Sequence, residues 1–422
     1  MASASSTETV EKVDDLAKPP FLRRVRIRGY KSIAFCDVTL EPLTILVGRN
    51  ASGKSNFLEA LAFLCDVLKV GVNEAVKRHG GAEAIPCRAR EDRVVSIEIE
   101  SGYTIADDTD CWKAAYRIEI DFPKKRPAKI RHEELRIQQD EWWVGYTNES
   151  GRVTLGAADD QPRQRVWRVK DRPFLDSYND TPVPEFSACL ASLTVYNFHP
   201  DAIRRLQKPN PGWFLERDGS NLASVIETTR ENDEGTIDRV GRYLSAVTES
   251  VELLGVARYG EYETPRFQVA SDGQARSLEF DAAGMSDGTL RALAALVAAF
   301  QIVLPQGYPS LVAIEEPETA LHPAAMRALV AALDEATLRT QILITTHSPD
   351  LLDAEAVKPE NVRVVEYRDG CTVIAPLDEA NVSIVRDHLS TLGGLERDRQ
   401  LEPDLDDLDR QADLARQERD SS

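Results

Sequence analysis

Eight consecutive residues constrain this chain more than any other feature: Gly48-Arg49-Asn50-Ala51-Ser52-Gly53-Lys54-Ser55. They match the pattern GxxxxGK[ST] in full. In that pattern successive backbone N–H groups curl around phosphate oxygens, and the glycines permit the backbone path. A helix starting at the lysine adds the partial positive charge of its N-terminus. Lys54 would reach the β- and γ-phosphates of a nucleotide, and the Ser55 hydroxyl would ligate Mg²⁺. The pattern has this meaning only between a buried strand and a helix. Here Leu43-Thr44-Ile45-Leu46-Val47 is almost wholly apolar, and beyond the loop Leu58, Leu61, Cys65 and Leu68 recur at helical spacing. Asn50 and Asn56 are either further polar contacts or caps.

Three later segments add to the loop. Leu311-Val312-Ala313-Ile314-Glu315-Glu316 reads as an apolar strand ending in two carboxylates. Glu315 there can hold Mg²⁺ opposite Ser55, and Glu316 can orient an attacking water. Gln341-Ile342-Leu343-Ile344-Thr345-Thr346 reads as a buried strand running into His347, which is placed to sense a γ-phosphate or the water. One crossover separates Glu316 from His347, so both belong at the same sheet edge. Ser286-Asp287-Gly288 precedes a nearly all-apolar helix, Thr289–Val303, and offers a hydroxyl and free amides at its start.

The order of these motifs, with the wording SDGT, IEEPETALHP and TTHSPDLL, resembles the ABC-type ATPases of the RecF, SMC and OLD kind, and in particular the short bacterial ATPases of that branch. Gly29-Tyr30-Lys31-Ser32, Arg78-His79-Gly80-Gly81 and Glu216-Arg217-Asp218-Gly219-Ser220-Asn221-Leu222 fit the same branch, so the likeness spans about residues 21–392. The resemblance implies an α/β fold: a P-loop ABC-type ATPase head, with a mixed β-sheet flanked by helices and an antiparallel β-rich and helical insert lobe. It implies ATP and Mg²⁺ as cofactors, with Glu316, His347 and Lys54 catalytic. Gly48 to Asn56 would bind the nucleotide in cis. Ser286, Asp287 and Gly288 would be the signature turn, acting in trans on ATP held by a second head. Thr319-Ala320-Leu321-His322 resembles the D-loop that couples the two sites. Departures are Met285 and Asp287 in the signature, Glu315 where Asp is commoner, and no evident Q-loop glutamine; Gln138 and Gln139 are the only guesses.

The remaining chain divides by texture. Residues 1–20 read as a disordered leader without an apolar core, and 21–93 as the first part of the head. Residues 94–275 read as the insert. In it, Val94–Glu98, Ala115–Phe122, Ile130–Gln138, Arg152–Leu155 and Arg165–Lys170 alternate with period two, as in an antiparallel meander. A helical stretch from Trp213 to about Val256 follows, then a hairpin about Asp272-Gly273. Residues 276–392 read as the second part of the head, and 393–422 as an acidic tail, frayed or disordered from about Glu396. The stretch between Lys54 and Ser286 is too short for long coiled-coil arms and shows no sustained heptads. The segment after His347 is too short for a Toprim nuclease domain.

Composition limits the partners. The net charge of -19 repels polyanions, so any contact with DNA must be local. Two basic runs could make it: Lys124, Lys125, Arg126, Lys129, Arg131; and Arg163, Arg165, Arg168, Lys170, Arg172, with Trp167 among them. The bland alternative is a solvated, charged edge strand. Arg23, Arg24, Arg26 and Arg28 are expected on the solvent face of the first strand. The six cysteines form no CxxC pair and read as reduced thiols of a cytoplasmic protein. No run of about 18 apolar residues marks a membrane span.

Three readings compete. The first is an ATPase whose heads dimerise with ATP and drive a DNA-related effector in repair or anti-phage defence; the resemblance implies a separately encoded nuclease or Toprim-like partner. The second is a scaffold or sensor that uses nucleotide as a structural staple with negligible turnover. The third, a transporter ATPase subunit, is opposed by the EPETALHP segment and the meander.

Overall fold

The structure is a computed structural model that describes residues 22–103, 112–157, 160–167, 171–179, 181–210, 214–269, 278–301 and 309–420. The leader, the 271–274 hairpin, Arg168 and Lys170 lie outside the described residues.

Its strands are β1 (Leu22–Tyr30), β2 (Ile33–Thr39), β3 (Leu43–Val47), β4 (Val94–Tyr103), β5 (Trp112–Asp121), β6 (Lys129–Gln139), β7 (Trp142–Glu149), β8 (Arg152–Ala157), β9 (Asp160–Val166), β10 (Thr194–Tyr196), β11 (Val251–Tyr259), β12 (Tyr262–Val269), β13 (Leu278–Asp281), β14 (Leu311–Glu315), β15 (Gln341–Thr346), β16 (Val362–Arg368) and β17 (Cys371–Pro376). They form three sheets, ordered β10-β14-β15-β3-β16-β17, β2-β1-β4-β5-β6-β7-β8-β9 and β11-β12-β13.

The first sheet carries the site. Its neighbours run parallel from β10 to β16, and only β17 is antiparallel. A parallel sheet is covered on both faces, which is why β3 and β15 are buried at every position. Alternate side chains enter two different cores. Leu46, Leu311, Ala313 and Leu343 face the core shared with helix Lys54–Val70 and the meander. Ile45, Val47, Val312, Ile314, Ile342 and Ile344 face the other core, filled by helices Asp287–Phe300 and Pro323–Ala336. Because β3, β10, β14 and β15 are parallel, their carboxyl ends open on one edge, where a ligand crevice forms.

The second sheet holds the expected meander, but not as a separate layer. β4 pairs with β1, so the meander continues the strands that begin the head. β10, from the middle of the expected insert, joins the first sheet beside β14. Two further expectations fail. Arg28 is buried and lies 3.7 Å from Glu119, which stands two strands across the same sheet in register through Ser96; it is not on a solvent face. The stretch after Ser250, read as helical, is strand β11.

The acidic tail is ordered over its described part. Helix Leu405–Asp420 rests on β2 and β17 through polar anchors instead of an apolar face. Gln411 donates to Ile374 O at 2.9 Å and accepts from Asp37 N at 3.1 Å. Arg410 meets the buried Asp37 carboxylate at 3.1 Å, beside Arg24 and Arg26. Burial pushes the Asp37 carboxyl up, but these guanidiniums outweigh it and hold it below the usual range.

Candidate nucleotide site

The loop after β3 fits polyphosphate. A Cβ on Gly48 would collide with Val365 O, and Gly53 sits at φ 108 against the Thr372 side chain, so neither position tolerates a larger residue. Ala51 is also left-handed, at φ 65. Ser52 Oγ is buried without a hydrogen-bond partner among the described residues. A buried hydroxyl left unsatisfied inside a curl of amides is the donor set that an oxyanion requires. Lys54 Nζ donates to Gly48 O at 2.6 Å and Arg49 O at 3.1 Å. Burial pushes this ammonium below its usual range, while Glu316, Glu318 and Glu396 pull it back up. Arg49 and Asn50 are exposed on the loop. Asn56 turns away from it, donating to Ser32 Oγ at 2.6 Å, and so ties the β1–β2 turn to the helix.

The ends of the neighbouring strands converge here. Ser55 Oγ donates to Glu315 Oε2 at 3.3 Å. Burial raises the Glu315 carboxyl, against the lowering effect of Arg217. Hydroxyl and carboxylate are hard oxygen donors that suit Mg²⁺. No group of three or more His, Cys, Asp or Glu side chains forms a metal cage among the described residues, so phosphate oxygens and water would complete the shell. Glu316 sits at φ 42, a strained backbone for a non-glycine residue. Its amide is pinned to Thr345 O at 3.1 Å, and its Oε1 lies 3.1 Å from His347 Nδ1.

Sequence reasoning missed two residues of this edge. Asn197 follows β10, next to the Glu315 strand, and its Nδ2 donates to Glu315 Oε2 at 3.3 Å. Gln138 and Gln139 are excluded, because they end β6 opposite Trp143 and Trp142 in the meander. Glu318 is buried; its Oε1 accepts from Thr346 Oγ1 at 2.5 Å, its Oε2 has no hydrogen-bond partner among the described residues, and burial raises its carboxyl. The EEPE spelling contained Glu318, but spacing alone gave it no role.

Ser286, Asp287 and Gly288 open helix Asp287–Phe300, with Ser286 Oγ accepting from Thr289 N at 3.2 Å. No hydrogen bond or ion pair joins this turn to Gly48–Asn56 within the chain, among the described residues. Gly288 instead backs onto Ala320 so closely that a Cβ would strike its carbonyl. Arg204 clamps the turn, meeting Asp287 Oδ1 at 2.5 Å and Met285 O at 3.1 Å. The basic residues lie elsewhere. Lys124, Lys125 and Arg126 are exposed in the β5–β6 turn, Lys129 and Arg131 open β6, and Arg163 and Arg165 lie on edge strand β9.

A glycine loop, an acidic strand end and a histidine gather on one edge of a parallel sheet, the arrangement of a P-loop nucleotide-binding fold. Two family models match the chain. The "AAA ATPase domain" matches residues 21–147, and "AAA domain, putative AbiEii toxin, Type IV TA system" matches residues 168–353. Both are models of AAA-type ATPase domains, and between them they take in the glycine loop, Ser286–Gly288, Glu315, Glu316 and His347. No curated protein matches it. Among solved structures it is similar to an Smc head bound to the C-terminal winged-helix domain of ScpA, at 12% identity and TM-score 0.49, covering 86% of this chain and 99% of that one. A Pyrococcus furiosus Smc head bound to the C-terminal domain of ScpA gives 12% identity and TM-score 0.49 over 87% and 99%. The Thermotoga maritima SMC head gives 16% identity and TM-score 0.42 over 85% and 99%. No helix among the described residues is long and apolar enough to cross a membrane.

Proposed function

We propose that this protein binds MgATP and hydrolyses it in a composite site shared by two heads, and uses that cycle to control a DNA-directed effector. The observation that carries the reading is the Glu316–His347 pair, 3.1 Å apart beside Lys54 and Ser55. Glu316 takes a proton from the attacking water, and His347 holds that carboxylate in line. The loop amides and Lys54 orient the phosphates, and the Ser52 hydroxyl gains a partner. Ser55 and Glu315 hold the metal, with Asn197 orienting the Glu315 carboxylate; when bound, Mg²⁺ neutralises charge on the β- and γ-oxygens. Ser286, Asp287 and Gly288 act on the ATP of the partner head, and their backing against Ala320 lets the D-loop report the state of one site to the other. Phosphate release by the wild type, with Lys54→Ala as control, tests the reading. Lys54-dependent turnover supports it; nucleotide binding with no turnover favours the scaffold alternative.

A specific observation favours a DNA contact. Asp121 pairs with Lys129, Glu149 with Arg152, and Arg152 with Val166. The first basic run and the described strand residues of the second, Arg163 and Arg165, therefore lie toward one end of the meander sheet. Phosphate binding needs such a cluster on an otherwise acidic protein. A homodimer, a separately encoded nuclease or Toprim-like effector, and a cytoplasmic setting in repair or defence complete the proposal.

A further inference from the structure

The segment Leu392–Leu401 is built into the nucleotide edge. Its helix, Leu392–Arg397, packs on helix Pro349–Leu352, which starts two residues after His347. Arg397 bridges Asp350 at 2.6 Å and Asp353 at 2.9 Å. Gly393 donates to Asp353 Oδ1 at 3.0 Å, and a Cβ there would strike Pro349 O. The docking is therefore close and directional.

This docking delivers Glu396 to a cavity of about 600 Å³ whose opposite wall is Gly48–Ser52. Glu366 also lines that cavity, but Arg368 neutralises it at 2.5 Å. The Glu396 carboxylate has no ion pair or hydrogen bond among the described residues; Arg399 lines the same space, and its backbone N–H donates to Glu396 O at 3.0 Å. Burial raises the Glu396 carboxyl, and Lys54 and then His347, the two groups expected to meet a γ-phosphate, draw it back down.

We propose that Glu396 is a specificity-determining residue of the nucleotide site, whose carboxylate beside the P-loop counterweights the γ-phosphate and keeps ATP from binding much more tightly than ADP. The proposal rests on the reading of Gly48–Ser55 as the nucleotide site. The terminal phosphate adds a further negative charge beside the loop whose residues Gly48–Ser52 share the cavity with Glu396, so a fixed anion there opposes ATP more than ADP. Removing it leaves the α- and β-phosphate contacts unchanged.

The test measures the affinities of MgATP and MgADP for the full chain, for Glu396→Gln and for Lys54→Ala, with thermal unfolding as a check on folding. Glu396→Gln is expected to tighten ATP about threefold or more while shifting ADP less, an effect that shrinks at high salt. Arg397→Ala, which releases the docked helix, should move the ATP-to-ADP ratio the same way. An unchanged or lowered ratio in Glu396→Gln, with Lys54→Ala losing ATP, overturns the proposal and leaves the site reading intact. Undiminished ATP binding by Lys54→Ala overturns both.

Discussion

His347 Nδ1 lies 3.1 Å from Glu316 Oε1, although thirty-one positions separate the two residues in sequence. Each follows a strand of the same parallel sheet, β15 and β14, which are adjacent and in register from Leu311–Gln341 to Glu315–Thr345. The pairing register thus sets the distance between this carboxylate and this imidazole. His347→Ala is expected to slow phosphate release at saturating ATP about tenfold to a hundredfold while leaving ATP affinity within a few-fold. Steady-state turnover with a separate binding titration checks it, and a loss confined to affinity would contradict the role.

Asn197 tests whether β10 belongs to the chemistry. Its amide holds Glu315 Oε2, the oxygen that Ser55 also meets. Asn197→Ala should raise the Mg²⁺ concentration needed for half-maximal turnover and lower kcat, with metal-free nucleotide binding unaffected. A Mg²⁺ titration of turnover decides this.

The tail helix makes a prediction about stability. Asp37 is buried and meets Arg24, Arg26 and Arg410. Its folded-state carboxyl is held below its ordinary value, so its contribution is present above that ordinary value, near pH 4, and is lost as pH falls through the lowered one. Asp37→Asn should cost about 3 kcal/mol at neutral pH, since it leaves buried guanidiniums short of a partner. Its unfolding free energy should also fall less steeply than the wild type's on acidification. Denaturant titrations at neutral and acidic pH measure both.

The basic end of the meander makes a separate prediction. Lys124, Lys125 and Arg126 are exposed in one turn, and Arg165 is exposed across the same end. Replacing these four with Glu should weaken DNA binding more than tenfold and flatten its salt dependence, without changing basal ATP turnover. Fluorescence anisotropy over a salt series reads it.

Much of the site was legible in the sequence because its chemistry dictates residue types over short spans. The Gly48–Ser55 loop allows few spellings, and β14 and β15 are apolar runs that end in polar residues. Asn197 was not legible: β10 has only 3 residues, too few to show a period, and an asparagine after it resembles a loop residue. Glu396 was hidden because its segment carries the charge of a solvated tail. What orders that segment is a long-range set of polar contacts, Arg397 with Asp350 and Asp353, and Gln411 with Asp37 and Ile374. Arg28 misled because alternation marks a half-exposed strand, whereas Glu119 stands beside it, two strands across the same sheet.

The most direct measurement of the central claim is the solution mass of Glu316→Gln with MgATP and with MgADP, by light scattering or sedimentation. A composite site predicts a stable head dimer with ATP, a lower mass with ADP, and loss of the ATP-bound dimer when Gly288→Ala is added, since a Cβ there strikes Ala320 O. A mass that is the same with ATP, with ADP and without nucleotide, in a variant shown to bind ATP, would contradict it.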